Sequence, residues 1–333
     1  MVYSTFQFCQ NEEMTMPRMK LILNPVADRG RAADVGKALQ VVLRERAEVE
    51  SHNGKHYDLD WVLTEHTGHA TQLARKAAEE GFDIVVAVGG DGTVNEVVNG
   101  LLQVDSKRRP KLGAIPIGSG NDFTHNVGIP DKAAEAIHGL FSEKTRKVDA
   151  GTIKDHTNNR EMFWDNTIGI GFGGAVNSAA KQWPGLYGFV MYLVAVIQTI
   201  VFKPPALEAS IQYDDNPPVQ RSIAMLSICN GPREGGGFPV APNAVMDDGL
   251  ISWVIMRKMG RLPMFYFVPV VMSAGHLAYK SYFSEGTAKH IRVQTDKEMV
   301  IHVDGELFCP YDQDVHDVEV TFMPGALEVL VGG

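Results

Sequence analysis

The sequence has 333 residues, of which 44% are hydrophobic and 21% charged, and its formal net charge is −9. That length suffices for two domains, and the composition is that of an ordinary globular protein. The acidic balance argues against a nucleic-acid binder and against global attraction to anionic membranes, so either would need a local basic patch.

No basic segment followed by an apolar stretch opens the chain, so no signal peptide is expected, and residues 1–16 read as a frayed tail. From residue 17 strand and helix alternate. Lys20–Leu23 reads as a short buried strand, followed by a loop over Asn24–Arg31 and a helix to about Glu48. Asp58–Leu63 alternates as a strand, and Thr67-Gly68-His69 opens a helix ending near Gly81. Ile84–Val88 and Leu112–Ile117 supply two more strands, each running into a glycine-rich turn and a helix. Repeated β-α units with short turns predict a mostly parallel, doubly wound sheet over residues 17–147, with its ligand beyond the carboxyl ends of the strands.

Past about Lys147 the pattern becomes short alternating runs: Phe163–Ile170, Ala209–Tyr213, Ser222–Cys229, Leu250–Met256, His290–Gln294, Met299–Val303 and Val318–Phe322. Turn chemistry separates them, including Asp247-Asp248-Gly249 and Asp304-Gly305. Residues 148–333 are therefore expected to form an antiparallel β-sandwich. Two apolar stretches, Leu186–Phe202 and Met264–Phe283, are inserted in it. A membrane span needs ~20 predominantly apolar residues; one stretch is too short and the other is interrupted by Pro269, His276 and Lys280, so both read as core or groove-lining helices.

The chemistry concentrates in the turns Gly89-Gly90-Asp91-Gly92-Thr93 and Gly118-Ser119-Gly120-Asn121-Asp122. Glycines let backbone N–H groups approach an anion, and a helix start behind them adds orphan donors and a positive dipole. The pair reads as a cradle for a polyphosphate. Asp91 would repel such a ligand unless a cation sits there too or a proton must be removed. The structural alternative is a capping box from Thr93 to Glu96, with Asn121 or Asp122 as a plain N-cap of the next helix. A Walker lysine is absent.

Gly169-Ile170-Gly171-Phe172-Gly173-Gly174 matches the dinucleotide pattern, but in the β-rich half it reads as a strand end in close backbone contact. Gly235-Gly236-Gly237 reads as a loop suited to a substrate entrance. Asp304-Gly305-Glu306, taken alone, is a hairpin turn. His69, His276 and His302 have no spaced partners, and Cys9, Cys229 and Cys309 form no CxxC pair, so metal ligation by them is not expected and the sparse cysteine count suits a reducing cytosol. Arg257, Lys258 and Arg261 precede a run of large apolar residues, either as a solvated turn or as a contact with lipid headgroups.

Taken in order, these motifs resemble the bacterial diacylglycerol kinase and lipid kinase family, related to sphingosine and ceramide kinases. The matching string is Asn24-Pro25, Thr67-Gly68-His69-Ala70, Gly89 through Val97, Gly118 through Phe123, Asp247 through Leu250 and Asp304-Gly305-Glu306. The resemblance implies an N-terminal nucleotide-binding α/β domain, a C-terminal β-sandwich, and ATP with Mg²⁺ in the cleft between them. By it, Asn24, Thr67, Gly89, Gly90, Gly92, Thr93, Glu96, Gly118, Ser119, Gly120 and Asn121 would hold the nucleotide. Asp304 would take the substrate hydroxyl's proton, supported by Glu306. Asp91 would stand near Mg²⁺ or serve as the base itself. Asp248, with Leu250 beside it, would form a structural cation site. One departure lies in the first loop, where Ala27-Asp28 replaces the family's usual small pair ahead of Arg29-Gly30-Arg31.

The expected function is ATP-dependent phosphorylation of a lipid alcohol, diacylglycerol first, by a cytoplasmic protein associated peripherally with the inner face of the membrane. Its expected partners are a lipid substrate at the membrane surface and at most a second copy of the chain, with no nucleic acid. Asp304→Asn is expected to abolish transfer and spare nucleotide binding. The rivals are a kinase of a soluble acceptor, similar to NAD kinase or phosphofructokinase, and a non-catalytic lipid- or nucleotide-binding regulator.

Overall fold

The computed structural model describes residues 16–27, 32–142, 144–183, 185–186, 188–202, 206–310 and 313–332. Residues 1–15 of the expected tail, Cys9 among them, and the segment Asp28–Arg31 lie outside the described residues. The first half runs β1 (Arg18–Leu23), α1 (Ala32–His52), β2 (Asp58–Leu63), α2 (His69–Glu79), β3 (Ile84–Gly89), α3 (Asp91–Leu102), β4 (Lys111–Pro116), α4 (Asp122–Val127) and α5 (Ala133–Leu140). Its strands pair in parallel in the order β2-β1-β3-β4. Every residue of β3 is buried, because helices cover both faces. Ala70, Ala74, Val94, Val97 and Leu101 of α2 and α3 pack on one face against Val85, Ala87 and Leu112. Leu39, Leu43, Ile137 and Leu140 of α1 and α5 pack on the other against Leu21, Val86 and Val88. Burying each such side chain is worth about 1.5–3 kcal/mol. The doubly wound sheet read from the sequence is the one observed.

The second half runs β5 (Thr145–Asp155), β6 (Arg160–Trp164), β7 (Thr167–Gly171), α6 (Phe172–Ala180), α7 (Gly188–Phe202), β8 (Leu207–Tyr213), β9 (Val219–Cys229), β10 (Ile251–Arg257), α8 (Arg261–Met272), β11 (Phe283–Ala288), β12 (His290–Thr295), β13 (Ile301–Val303), β14 (Glu306–Cys309) and β15 (Asp317–Leu330). The pairing is antiparallel throughout, from β14 and β13 through β7, β9, β8 and β12 to β15. The sheet curls round a core that includes Trp164, Ile168, Ile211, Ile223, Val318 and Phe322, with the Trp164 and Phe322 rings 5.8 Å apart. The last strand joins both halves. β15 lies antiparallel to β5 and β12 and then meets β4 in parallel at Val329 and Leu112, which makes one continuous sheet of 15 strands.

Several expectations need correction. The run Phe163–Ile170 is two strands, broken at Asp165 and Asn166, whose amides turn to a side chain instead of a ladder. The stretch Met264–Phe283 is not one helix: α8 stops at Met272, Ala274 takes a left-handed φ of 56°, and residues from Phe283 form β11. Strands β5, β11 and β14 were not anticipated, and β15 is far longer than Val318–Phe322. The glycines after Thr167 form a strand-to-helix turn at Gly171, as close contact predicts: a Cβ on Gly174 would sit 2.3 Å from the Val300 carbonyl oxygen. Among the described residues no helix is long and apolar enough to cross a membrane.

Candidate active site

The two glycine turns meet backbone to backbone at the carboxyl end of the parallel sheet. A Cβ on Gly118 would lie 2.4 Å from Gly90 Cα, so only glycine permits the contact. Gly89 ends β3 beneath Thr93, and a Cβ there would meet Thr93 Oγ1 at 2.3 Å. Asn24 Nδ2 donates to that same Oγ1 at 3.1 Å, tying the first loop to the cradle. α3 has Gly90 as its N-cap and no side chain capping it; Thr93 N already donates to the Gly90 carbonyl, so the uncapped donors at the cavity are the N–H groups of Asp91 and Gly92. Asn121, at a left-handed φ of 55°, is a clasp: its side chain accepts from the Gly118 N–H and donates to the Gly118 carbonyl.

The acids of the cradle also tie its elements together. Glu96 does not close a capping box with Thr93; its carboxylate accepts from Gly68 N at 2.8 Å and Ala70 N at 3.0 Å, capping α2 instead. Asp91 accepts from Phe123 N at the start of α4, so it links the two turns across the cradle. Gly120 leaves room for that carboxylate, since a Cβ there would stand 2.6 Å from Asp91 Oδ2. Burial, and then the charge of Asp122, raise the Asp91 pKa to about 6. Asp122 is held by Arg233 Nε at 2.9 Å and by Gly236 N at 2.7 Å, which anchors the Gly235–Gly237 loop against the second turn.

Across the cleft, Asp304 and Gly305 both have left-handed φ, 48° and 83°, as a two-residue hairpin between β13 and β14 requires. The turn carries Asp304 into the buried centre. Its carboxylate accepts from Asn95 Nδ2 (2.8 Å), Asp165 N (2.8 Å), Asn166 N (2.9 Å) and Thr167 N (2.7 Å). These four bonds fill its ordinary acceptor capacity. Beside it Asp165 is buried with an unpartnered Oδ2, and burial plus the charge of Asp304 push its pKa well up. Two such groups titrate as a pair. Glu306 is more open, paired with Lys181 at 2.9 Å, and its Oε1 faces Gly92 at the α3 start.

One cavity of about 840 Å³ connects these parts. Its polar end is lined by Asn24, Thr67, Gly90, Gly92, Thr93, Gly118, Ser119 and Gly120; Gly89 and Asn121 shape it from behind. Its waist holds Asp165, Glu234, His302 and Asp304. Burial raises the pKa of Glu234 to about 7 and that of Asp304 to about 6, and lowers that of His302 to about 4, so near neutrality His302 is uncharged and the acids of the waist carry less than their full charge. Its far end is an apolar chamber of Phe172, Met191, Ile200, Met225, Phe267 and Phe283, between α6, α7, α8 and β9–β11. His276 closes that end, its Nε2 3.0 Å from the Val240 carbonyl oxygen.

Asp248 and Leu250 fall outside this cavity. They form a surface turn in which Leu250 N donates to Asp248 Oδ1 at 2.9 Å, while buried Asp149 receives Gly249 N and Gly325 N. Among the described residues no group of three His, Cys, Asp or Glu side chains is arranged to hold a metal. His69 opens α2 and accepts from Glu65 N, a structural contact. Sequence reasoning missed Asp165, Glu234 and His302 as cleft residues, and Arg233 as the partner of Asp122 behind the second turn. The first had a signal: an Asp-Asn pair inside an otherwise alternating run.

Comparison with known proteins supplies the class. The diacylglycerol kinase catalytic domain model matches residues 18–153, and the model of the YegS C-terminal, NAD-kinase-like β-sandwich domain matches residues 166–331. A probable YegS-like lipid kinase of Chromohalobacter salexigens is 34% identical over 262 residues, covering 78% of this chain and 76% of its own length. The Bacillus subtilis diacylglycerol kinase is 28% identical over 298 residues, covering 87% and 90% respectively. A Bacillus anthracis crystal structure assigned as a diacylglycerol kinase superposes with a TM-score of 0.75 at 25% identity, covering 98% of this chain and 99% of that one. Yeast NADH kinase shares the fold alone, with a TM-score of 0.53 at 12% identity, 96% of this chain and 84% of that one. The chain belongs to the bacterial diacylglycerol kinase and YegS-like lipid kinase family and is an enzyme of that class.

Proposed function

We propose that this kinase transfers the γ-phosphoryl group of ATP to the hydroxyl of a lipid alcohol, diacylglycerol first, giving phosphatidic acid. One observation carries the reading: a single cavity runs from the glycine cradle, past buried carboxyls, into an apolar chamber. A donor's phosphates suit the open N-terminus of α3, and an acyl chain suits the chamber among Met191, Ile200 and Phe267. The acceptor hydroxyl then falls at the waist, beside Asp165 and Asp304. A soluble acceptor such as NAD or a sugar phosphate has nothing to offer that chamber.

Phosphoryl transfer is mostly positioning and charge neutralisation. The cavity is lined by seven Asp and Glu side chains and, among the described residues, by no Lys or Arg. That donor set of hard oxygens fits Mg²⁺, with Asp91 as its proposed protein ligand and phosphate oxygens as the remainder. When bound, Mg²⁺ would offset the charge of the phosphates. Burial and mutual repulsion leave the Asp165–Asp304 pair with one proton and one negative charge between them, and the proton of the acceptor hydroxyl is proposed to pass to that remaining charge, with the unpartnered Asp165 Oδ2 as the point of contact. Asp304, whose four donors occupy its acceptor sites, is proposed to hold the pair in place and to share its charge. Glu306, opposite Gly92, flanks the phosphate end. Purified protein with Mg²⁺ and radiolabelled ATP, presented with a panel of lipid alcohols in mixed micelles, tests the proposal. Labelled phosphatidic acid supports it, and no labelled lipid refutes it.

A further inference from the structure

Helices α7 and α8 are apolar on both faces. Met191 and Ile200 of α7, and Met264 and Phe267 of α8, line the chamber. Their opposite faces lie open: Phe202 is 74% exposed, Leu262 83%, Val190 54% and Tyr266 55%. A helix apolar all round is normally buried, and α7 and α8, at 15 and 12 residues, are too short to span a bilayer. Arg261 Nε donates to the Ile200 carbonyl at 3.2 Å, which sets the α8 start beside the α7 end and brings Phe202 and Leu262 into one patch.

The charge around the patch points to its occupant. Near the α8 start stand three cations, Arg257, Lys258 and Arg261, in a chain whose net charge is −9, whereas Lys181 and Lys280 are paired with Glu306 and Glu285. Arg257, Lys258 and Arg261, all exposed, rim the apolar end. Cations bordering exposed large apolar side chains match an anionic headgroup layer over acyl chains.

We propose that the outer faces of α7 and α8, with Arg257, Lys258 and Arg261, dock the protein on anionic lipid bilayers. The same two helices then face the membrane on one side and the chamber on the other, so an acceptor lipid crosses only their thickness. The inference rests on the lipid-kinase reading for its purpose, but its test needs no turnover.

Flotation with vesicles of phosphatidylcholine alone, or mixed with phosphatidylglycerol, measures docking directly. The protein is expected to bind the mixed vesicles and not the neutral ones. Arg257→Gln with Lys258→Gln should weaken binding about thirtyfold, each near-surface cation being worth about fivefold. Phe202→Ser with Leu262→Ser should weaken it about tenfold per residue. Both side chains are already exposed, so unchanged thermal melting is expected and separates lost docking from lost folding. Equal binding to both vesicle types, or undiminished binding by both double variants, overturns the proposal. So does a wild-type dimer that Phe202→Ser with Leu262→Ser dissolves while vesicle binding persists, since the patch would then seat a second copy. Docking through this face by a protein that labels no lipid supports the surface and counts against the proposed acceptor.

Discussion

Gly118→Ala tests the contact between the two glycine turns. A Cβ at this position would stand 2.4 Å from Gly90 Cα and 2.9 Å from Asn121 Oδ1, and ordinary contact begins at 3.4 Å. The gap to be opened is therefore about 1 Å, and the obstacle is backbone, which has no rotamer to change. Gly118 is not among the residues of positive φ, so backbone strain adds nothing and the effect is purely steric. Overpacking of this kind costs about 1–3 kcal/mol in stability. Its larger effect is on position, because moving one turn about 1 Å from the other misplaces a held phosphate, worth roughly 100-fold in rate. The expected outcome is a fall of that order in kcat/KM for ATP with a modest drop in Tm. Gly185→Ala is the control, since a Cβ there meets nothing within 4 Å. Wild-type kcat/KM in Gly118→Ala would show that the turns do not act as one cradle.

Other substitutions separate the carboxyls. Asp304→Asn puts an NH2 in place of one carboxylate oxygen, opposite either Asn95 Nδ2 and Asp165 N or Asn166 N and Thr167 N, so it should lower unfolding stability by about 3 kcal/mol as well as end transfer, read by denaturant midpoint; full stability would contradict the hydrogen-bonding described. Asp165→Asn removes the carboxyl whose Oδ2 has no partner, and should lower kcat while KM for ATP and Tm hold; undiminished kcat would remove Asp165 from the proton path. Glu234 has its pKa raised from 4.5 to about 7, so the stability it contributes is complete below pH 4.5 and is lost as pH rises through 7, by about 3 kcal/mol at most. His302, lowered from 6.5 to about 4, works in the other direction: its contribution is complete above 6.5 and is lost as pH falls through 4. Glu234→Gln should therefore flatten the loss of Tm between pH 5 and 8. An unchanged Tm profile would refute the burial argument.

Local patterns made the first half legible. Short apolar runs closed by glycine turns could only be buried parallel strands, and β2 falls on the predicted Asp58–Leu63. The cradle was visible for the same reason, because a glycine cluster between strand and helix has few other uses. The partners of its acids were not visible. Thr93 and Glu96 stand at capping-box spacing, yet Glu96 reaches α2, since Gly68 and Ala70 offer two aligned N–H groups across the helix pair. Asp165 looked like a strand residue because alternation continues past it; only the arrival of Asp304, 139 residues later, draws its amide away. The end of α8 was hidden by composition, for apolar residues continue through the turn at Ala274 into β11. Strand β15 escaped because its register shifts between Met323 and Leu327, so the alternation before that irregularity does not continue into the end that meets β4 at Val329.

The central claim is that the cradle, the buried carboxyls and the apolar chamber serve one reaction, and product identification tests it most directly. The purified chain is incubated with Mg²⁺, radiolabelled ATP, and a mixture of diacylglycerol, other long-chain alcohols, NAD and a sugar phosphate, and the labelled products are identified by mass. The account predicts label in a lipid phosphate, with phosphatidic acid foremost. Label in NAD phosphate or a sugar bisphosphate, with none in lipid, would contradict it.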